Sequence, residues 1–379
     1  MKVNIIGNIF GSSGYAIHTR SLANALNEQS IDVKLDSPLV QGWERQVTDA
    51  ELLMIQKEGV EDRTSIMIGQ PPMWRYALAD NPKHFIGFLV HEGDTIPEYW
   101  LEYLCDNKVD QIWVPSEHVK DAIMNTTKKE KELNLKLISD AHKYQDIKDK
   151  IKIVPHGVDL SLFKQEKEEE DRPFTFVCNK GWRGGMEDRG GVQYLLKAFT
   201  EEFEDKENVR LILKINPSYC PPEFNFIEEI EKIGITTKNR SKILLNIDNI
   251  HYSQIYKLYV NCDMFVCPTR CEGFNIPGLE AHAMGLPTIQ TDFGGQKDYM
   301  ERGSDFYLDY DLQYSNDPMY EGIKWATPNI EQLKDIMRKC YYNQELVKQM
   351  GKQAKKNVSK WTWAETSKKA KKFLKQLDL

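Results

Sequence analysis

The chain has 379 residues, of which 28% are charged and 41% hydrophobic, and a formal net charge of −7. That balance excludes a disordered chain, and its acidic sign argues against nucleic acid as the main partner. Met1–Ile6 passes straight into a strand pattern with no signal-peptide architecture, and no run of eighteen apolar residues occurs, so a cytoplasmic location is expected.

The length allows two or three domains, and two is the better reading. In the first half, apolar runs at Val3–Ile6, Ile31–Leu35, Ser65–Ile68, Phe85–Val90, Gln111–Val114 and Ile151–Val154 alternate with helical patterns such as Ala16–Leu26 and Glu98–Leu104. Such alternation predicts a parallel sheet with helices on both faces. The glycine-rich segment Gly7–Gly14 follows the first run but misses the Gly-x-Gly-x-x-Gly spacing. A nicotinamide site with Asp36 as the ribose acid therefore ranks well below the other readings. Taken by itself, Gly14 reads as part of a plain strand-to-helix turn. Trp43, Trp74, Tyr76, Tyr99 and Trp100 cluster on or near loops, where aromatic faces pack or stack on sugar rings.

Leu89-Val-His91 ends a buried strand and places His91 at the C-terminal tip, where ligands of α/β sheets bind. Lys120–Lys152 carries nine lysines and six acids, reads as helical and does not look like core. The charged stretch 164–173 reads as a linker. Beyond it the alternation resumes, with strands near Phe174–Cys178, Arg210–Ile215, Ile243–Ile247, Met264–Cys267 and Pro287–Gln290. Lys180, Arg183 and Arg189 lie in the glycine-rich stretch after the first of these. Two similar sheets predict an α/β protein of two Rossmann-like domains facing across a cleft.

Residues 272–287 carry the most information. Glu272 and Glu280 stand at either end of a Gly/Pro-bent turn that follows a strand and opens a helix. Backbone N–H groups from about Gly273 to Gly278, through Phe274, Asn275 and Ile276, are expected to point outward as a diphosphate site. Glu280 lies far enough past the turn to accept hydrogen bonds from ribose hydroxyls. Taken singly, Glu280 is an acid favoured in a first helical turn, and Gly273, Gly278 and Gly285 are a turn, a helix start and a cap.

The combination resembles the Glu-x7-Glu motif of retaining GT-B glycosyltransferases, the glycosyltransferase family 4 type also described as glycosyl transferases group 1. Ile153-Val-Pro-His-Gly-Val-Asp159, Trp113-Val-Pro-Ser116, Phe293-Gly-Gly-Gln-Lys-Asp298 and the closing Trp361-Thr-Trp-Ala-Glu-Thr segment are similar to further elements of that family. The resemblance implies a metal-independent hexosyltransferase that takes a UDP- or GDP-linked sugar to a glycan, lipid-linked or protein acceptor. It implies that His91 contacts the transferred sugar, Glu272 holds its hydroxyls, Glu280 binds ribose, Asp248–Tyr252 seats the base and Gly14 approaches the donor. Where the family has an Arg and a Lys for the diphosphate this chain has Asn179 and Arg189, so Arg183 and Arg189 are the chosen cations and Lys180 the substitute.

The implied domains are 1–165, completed by a C-terminal helix at about 361–379, and 172–360. Competing readings are a non-catalytic nucleotide-sugar-binding partner of the same fold and a nicotinamide-dependent oxidoreductase. Asp309-Tyr-Asp311 formally matches a metal-binding pair but reads as surface turn acid. The seven cysteines include no Cys-x-x-Cys and fit no closed zinc site with His251 or His282, so no metal is expected. Lys352–Lys375 has nine lysines and one acid. It and 120–152 read as solvated helix faces, with peripheral contact to anionic lipid at the inner membrane face as the functional alternative.

Overall fold

The computed structural model describes residues 1–378 apart from 39–46, 60–61, 134–141, 165–170, 217–219, 221–222 and 236–241. Trp43, part of the lysine-rich excursion and most of the charged linker thus lie outside the described residues. The chain divides into two compact units, Met1–Gly157 with Trp361–Leu379, and Val158–Lys360.

The first unit is built in the order β1 (Lys2–Ile6), α1 (Gly14–Glu28), β2 (Asp32–Asp36), α2 (Asp49–Ile55), β3 (Thr64–Ile68), α3 (Trp74–Leu78), β4 (His84–Phe88), α4 (Leu101–Leu104), β5 (Gln111–Val114), α5 (Glu117–Leu133), α6 (His142–Lys150) and β6 (Ile151–Ile153). Its six strands are parallel, in the spatial order β2-β1-β3-β4-β5-β6. Strands buried on both faces read as continuous apolar runs, which is why these were visible in the sequence. Val3, Ile5, Ile66 and Phe88 pack to one side of the sheet, and Met67, Trp74, Phe85 and Ile112 to the other.

One expectation for this unit needs correction. The lysine-rich excursion was expected to lie outside the core, yet its Ala122, Ile123 and Ile147 are core residues. Val119, Ala122, Ile123 and Thr126 recur at helical spacing and are buried, a stripe that the lysines between them hide from a simple charge count. Of the aromatic group, Trp74 and Trp100 are buried packing residues, whereas Tyr76 and Tyr99 are exposed.

The second unit runs β7 (Phe174–Lys180), α7 (Val192–Glu202), β8 (Val209–Ile215), α8 (Phe226–Lys232), β9 (Ile243–Asn246), β10 (Met264–Cys267), α9 (Ile276–Ala283), β11 (Thr288–Thr291), β12 (Asp305–Leu308), β13 (Tyr310–Tyr314), β14 (Lys324–Pro328), α10 (Ile330–Tyr342) and α11 (Gln344–Asn357). Its parallel sheet has the order β12-β11-β10-β7-β8-β9. Read from the other edge, that is the 3-2-1-4-5-6 order of doubly wound nucleotide-binding sheets. The chain reverses its direction of winding between β7 and β10, so the C-terminal ends of these two strands flank a natural ligand crevice. Asp309 and Asp311 were expected in a turn. Asp311 instead lies in β13, which pairs antiparallel with β14, and the Asp309 carboxylate accepts from the Gln332 amide at 3.2 Å.

A final helix, α12 (Trp363–Lys375), returns to the first unit. Thr362 caps it by accepting from the Glu365 N–H at 3.2 Å, and Trp363, Ala370 and Leu374 join the core beside α1. Lys368, Lys369, Lys372 and Lys375 fall on its exposed face. Among the described residues no helix is long and apolar enough to cross a membrane.

Candidate functional site

The crevice between β7 and β10 gathers the charged residues. Lys180 ends β7, Glu272 lies on the turn after β10, and their side chains form an ion pair, while the Lys180 ammonium also donates to Asn275 Oδ1 at 3.4 Å. Burial pulls the lysine's pKa down, but the negative charges of Cys267 and Glu272 and the hydrogen bond to Glu272 outweigh it, so Lys180 is held above its ordinary value. Cys267 is itself pushed up to about 11 by burial. At neutral pH the charge facing Lys180 is therefore that of Glu272. The turn between β10 and α9 is fixed from two sides. Gly295 N–H donates to the Glu272 carbonyl at 2.7 Å, and a Cβ on Gly294, whose φ is +118°, would stand 2.9 Å from that same oxygen.

Asn275 is the pivot of the turn. Its backbone is left-handed, with φ 65° and ψ 66°, a conformation that asparagine tolerates better than most residues. Its Nδ2 donates to Gln290 at 2.6 Å and its carbonyl accepts from the Tyr299 hydroxyl at 2.9 Å. The turn tightens enough for Gly278 N–H to bond the Asn275 carbonyl at 3.1 Å. The expected run of outward N–H groups is thus shorter than the sequence implies, because Gly278 is already bonded. A side chain at 278 would also strike the Tyr299 hydroxyl, 2.3 Å from the position of its Cβ. Gly273, Phe274 and Ile276 are buried around this turn, with Phe274 against the Tyr299 ring at 5.4 Å.

Glu280, one turn into α9, is 2% exposed. Its two oxygens each accept a phenol: Tyr252 donates to Oε1 at 2.9 Å and Tyr259 to Oε2 at 3.0 Å. Burial raises the carboxyl pKa to about 7, against the pull of the two tyrosine hydrogen bonds. Asn179, at the penultimate position of β7, donates to the Tyr259 hydroxyl at 3.1 Å. Where the family pattern has a cation, this chain has an amide that braces a tyrosine. Behind the same helix, His282 bonds Asp305 at 2.6 Å, and Asp305 also caps the turn at Glu301. Burial raises that aspartate, but the charge and hydrogen bond of His282 prevail and its pKa is lowered. His282, itself in α9, thereby ties that helix to Asp305 at the start of β12.

The three candidate cations separate. Lys180 faces Glu272, and the charge of Arg189 is near enough to oppose that of Lys180. The Arg189 carbonyl accepts from Arg270 N–H at 2.9 Å and from the Thr269 hydroxyl at 3.2 Å, which ties the glycine-rich loop to the segment just before Glu272. Arg183 does not join them. Its side chain is 63% exposed and pairs with Asp317 at 3.7 Å.

In the first unit, Gly14 is the first residue of α1, where Ser13 caps the helix by accepting from Ala16 N–H at 3.2 Å. A Cβ on Gly14 would meet no atom within 4 Å, so the space before this helix start is open. Arg20 braces the loop from below, donating to the Ile9 carbonyl and, at 2.9 Å, to that of Gly11. His91 lies three residues beyond β4 and is 1% exposed. Its Nε2–H donates to the Thr95 carbonyl at 2.7 Å, and its ring meets Trp100 edge-on at 5.4 Å.

Sequence reading missed Tyr259, Tyr299 and Gln290 as supports of this site. They meet the 272–280 segment only through space, and no local motif marks them.

The family model described as Glycosyl transferases group 1 matches residues 163–357, just over half of the 379-residue chain. A protein designated glycosyltransferase 45, from Sulfolobus islandicus filamentous virus, is 23% identical over 267 residues, covering 69% of this chain and 65% of its own length. The D-inositol 3-phosphate glycosyltransferase of Segniliparus rotundus is 27% identical over 160 residues, covering 38% and 32%. The chain thus spans less than two thirds of these curated relatives. Among solved structures, a glycosyltransferase from Rickettsia africae superposes with a TM-score of 0.69 at 16% identity, covering 99% of this chain and 98% of that one. Anabaena HepE in complex with UDP and glucose gives 0.65 at 12% identity, covering 99% and 100%. At these identities the structures speak for the fold, which is GT-B.

Proposed function

Because the chain belongs to the glycosyl transferases group 1 family, we propose that it moves a sugar from a nucleotide-diphosphate sugar to an acceptor hydroxyl, with retention at the anomeric carbon and without a metal. The observation that carries this reading is the crevice between β7 and β10, where Lys180 meets Glu272 and Glu280 follows on the helix that Glu272 introduces. Nucleotides bind at such a reversal of strand order. HepE is described in complex with UDP and glucose, which makes UDP-glucose the first donor to test.

In this mechanism the bond between the anomeric carbon and the diphosphate oxygen breaks, and negative charge collects on the departing diphosphate. Lys180 and Arg189 stabilise that charge, assisted by backbone N–H groups at the start of α9. A cation about 4 Å from the diphosphate is worth on the order of 4 kcal/mol at an effective dielectric near 20, before desolvation is subtracted. Donor binding then draws Lys180 away from Glu272, freeing that carboxylate for the sugar hydroxyls. The acceptor hydroxyl attacks the face that the diphosphate leaves, and its proton passes to a diphosphate oxygen. His91 is assigned to the sugar and Glu280 to the ribose.

A second reading, nucleotide-sugar binding without transfer, draws on His91, whose Nε2–H is committed to the Thr95 carbonyl. One experiment decides between the two. Thermal shift against a panel of UDP- and GDP-sugars identifies the donor, and release of UDP or GDP with simple sugars as acceptors, in the presence of a chelator, reports transfer. A stabilising donor with turnover in chelator supports the first reading. A stabilising donor that no acceptor discharges supports the second.

A further inference from the structure

Glu280 is assigned above to the ribose of the donor, yet in the structure each of its oxygens already accepts a phenol and the carboxylate is almost wholly buried, so that enclosure rather than acceptor capacity keeps other hydroxyls away. An ionised carboxylate offers about four lone-pair positions, and a buried one must keep hydrogen-bond donors on it. Two ribose hydroxyls cannot approach a carboxylate so enclosed unless one of its partners yields.

The two tyrosines are not equivalent. Phe163 touches both rings, at 6.3 Å from Tyr259 and 6.2 Å from Tyr252, but only Tyr259 is fully buried, has its hydroxyl braced by Asn179 and packs against Phe265, at 6.4 Å. Tyr252 is half-buried. It opens the 3₁₀ turn Tyr252–Leu258, and its neighbours His251 and Ser253 are exposed. The route from Glu280 to solvent therefore runs past Tyr252, while Tyr259 holds the carboxylate from within.

We propose that the Tyr252 hydroxyl stands in for a ribose hydroxyl on Glu280, and that a nucleotide binds by exchanging with it while Tyr259 stays in place as the positioning residue. The inference rests on the donor reading given above and adds to it a residue that closes the ribose subsite when no donor is bound. The exchange preserves the number of donors on the carboxylate throughout, so the buried charge is never left bare. Tyr252 thereby competes with every ribonucleotide for one oxygen, and only for that part of the ligand.

The test is equilibrium binding of UDP, GDP and their 2′,3′-dideoxy counterparts to the wild-type chain, Tyr252→Phe and Tyr259→Phe, with circular dichroism to check that the variants fold. Removing the competing hydroxyl is expected to tighten UDP or GDP binding about tenfold, since a hydrogen bond to a charged group no longer has to be broken. The dideoxy nucleotides should bind Tyr252→Phe and wild type alike. Tyr259→Phe, which loosens the carboxylate, should bind the ribonucleotide more weakly than wild type. If wild type binds neither UDP nor GDP, the donor reading falls and this inference with it. If wild type binds but Tyr252→Phe binds the ribonucleotide no tighter, the donor reading stands and the exchange is wrong. Equal tightening for ribo- and dideoxynucleotides also overturns it, because Tyr252 would then act by bulk alone.

Discussion

The two units are both parallel six-stranded sheets, yet they bury opposite kinds of titratable group near the C-terminal ends of their strands. In the first unit, His156 follows β6 and meets His18 of α1, with Phe88 and Trp363 around the pair. Burial lowers the pKa of both imidazoles, His156 to about 3, and the repulsion between them lowers His18 further. The pair is therefore neutral, with one ring donating to the other. In the second unit the groups at the reversal of strand order keep or approach charge: Lys180 against Glu272, and Glu280 between two tyrosines. Where a charged ligand is to be met, the fold retains ionisable groups at a cost in desolvation.

The sharpest way to break this contrast is to remove the charge from the second unit. Lys180→Met keeps most of the side-chain volume but leaves Glu272 without its cation and removes one of the donors proposed for the departing diphosphate. Losing one preorganised donor of this kind lowers kcat/KM about 10²- to 10³-fold, so the variant should retain donor binding poorly and turn over slowly. Initial-rate kinetics with the donor found in the panel reads this directly. A loss below about threefold would mean that Arg189 and the backbone carry the diphosphate alone.

Acid and base should also act on the two units in opposite directions. For His18 and His156 the folded pKa lies below the unfolded value of about 6.5, so the unfolded chain binds protons that the folded unit cannot. Their contribution to stability is present above pH 6.5 and is lost as pH falls toward about 3, at roughly 1.4 kcal/mol per pH unit for each imidazole. Glu280 behaves the other way. Its pKa is raised from the model-peptide value to about 7, so its stabilising share is present at low pH and lost as pH rises through 7. Donor affinity, which needs the carboxylate, should rise over that same interval. Calorimetric unfolding at pH 5, 6 and 7.5 for the wild type and His156→Asn tests the first half. The variant should lose less stability per pH unit below pH 6.5, by roughly one imidazole's share of about 1.4 kcal/mol, and an unchanged slope would remove the imidazole pair from the explanation.

How much of this was legible beforehand depended on whether the signal was local. β5 and β10 were read residue for residue, because a strand buried on both faces is a short continuous apolar run. β12, Asp305-Phe-Tyr-Leu, was missed because its first residue is a buried acid that answers His282 rather than water. β13, Tyr310-Asp-Leu-Gln-Tyr314, was missed although it alternates apolar and polar residues; its Leu312 and Tyr314 are exposed, so the alternation does not mark a core face. At the site, the interval between Glu272 and Glu280 could be counted, and the strand before them and the helix after them were visible. Their partners could not be counted. Tyr252 and Tyr259 reach Glu280 across 28 and 21 residues, and the left-handed turn at Asn275 has no glycine to announce it. Lys180 ranked as a substitute because the resemblance places an Arg and a Lys at the positions of Asn179 and Arg189, and not at Lys180 itself. Its place at the end of β7 decides its surroundings, and only strand order shows that β7 lies next to β10.

Arg183 supplies the smallest expected effect and the finest test of the contrast. It was chosen from sequence as a diphosphate cation, but its guanidinium is mostly solvated and stands 3.7 Å from Asp317, on the segment between β13 and β14. Exposed pairs of this kind contribute about 0–1 kcal/mol, because the charges are screened and two long side chains lose freedom. Arg183→Ala should therefore shift unfolding by no more than about 0.5 kcal/mol and alter kcat/KM less than about twofold. The same kinetics that expose Lys180→Met serve as the measurement. A loss approaching that of Lys180→Met would show that Arg183 leaves Asp317 when the donor binds. The charged site would then extend from the crevice to the loop beyond it, and the separation of Arg183 from Lys180 and Arg189 would describe the donor-free state alone.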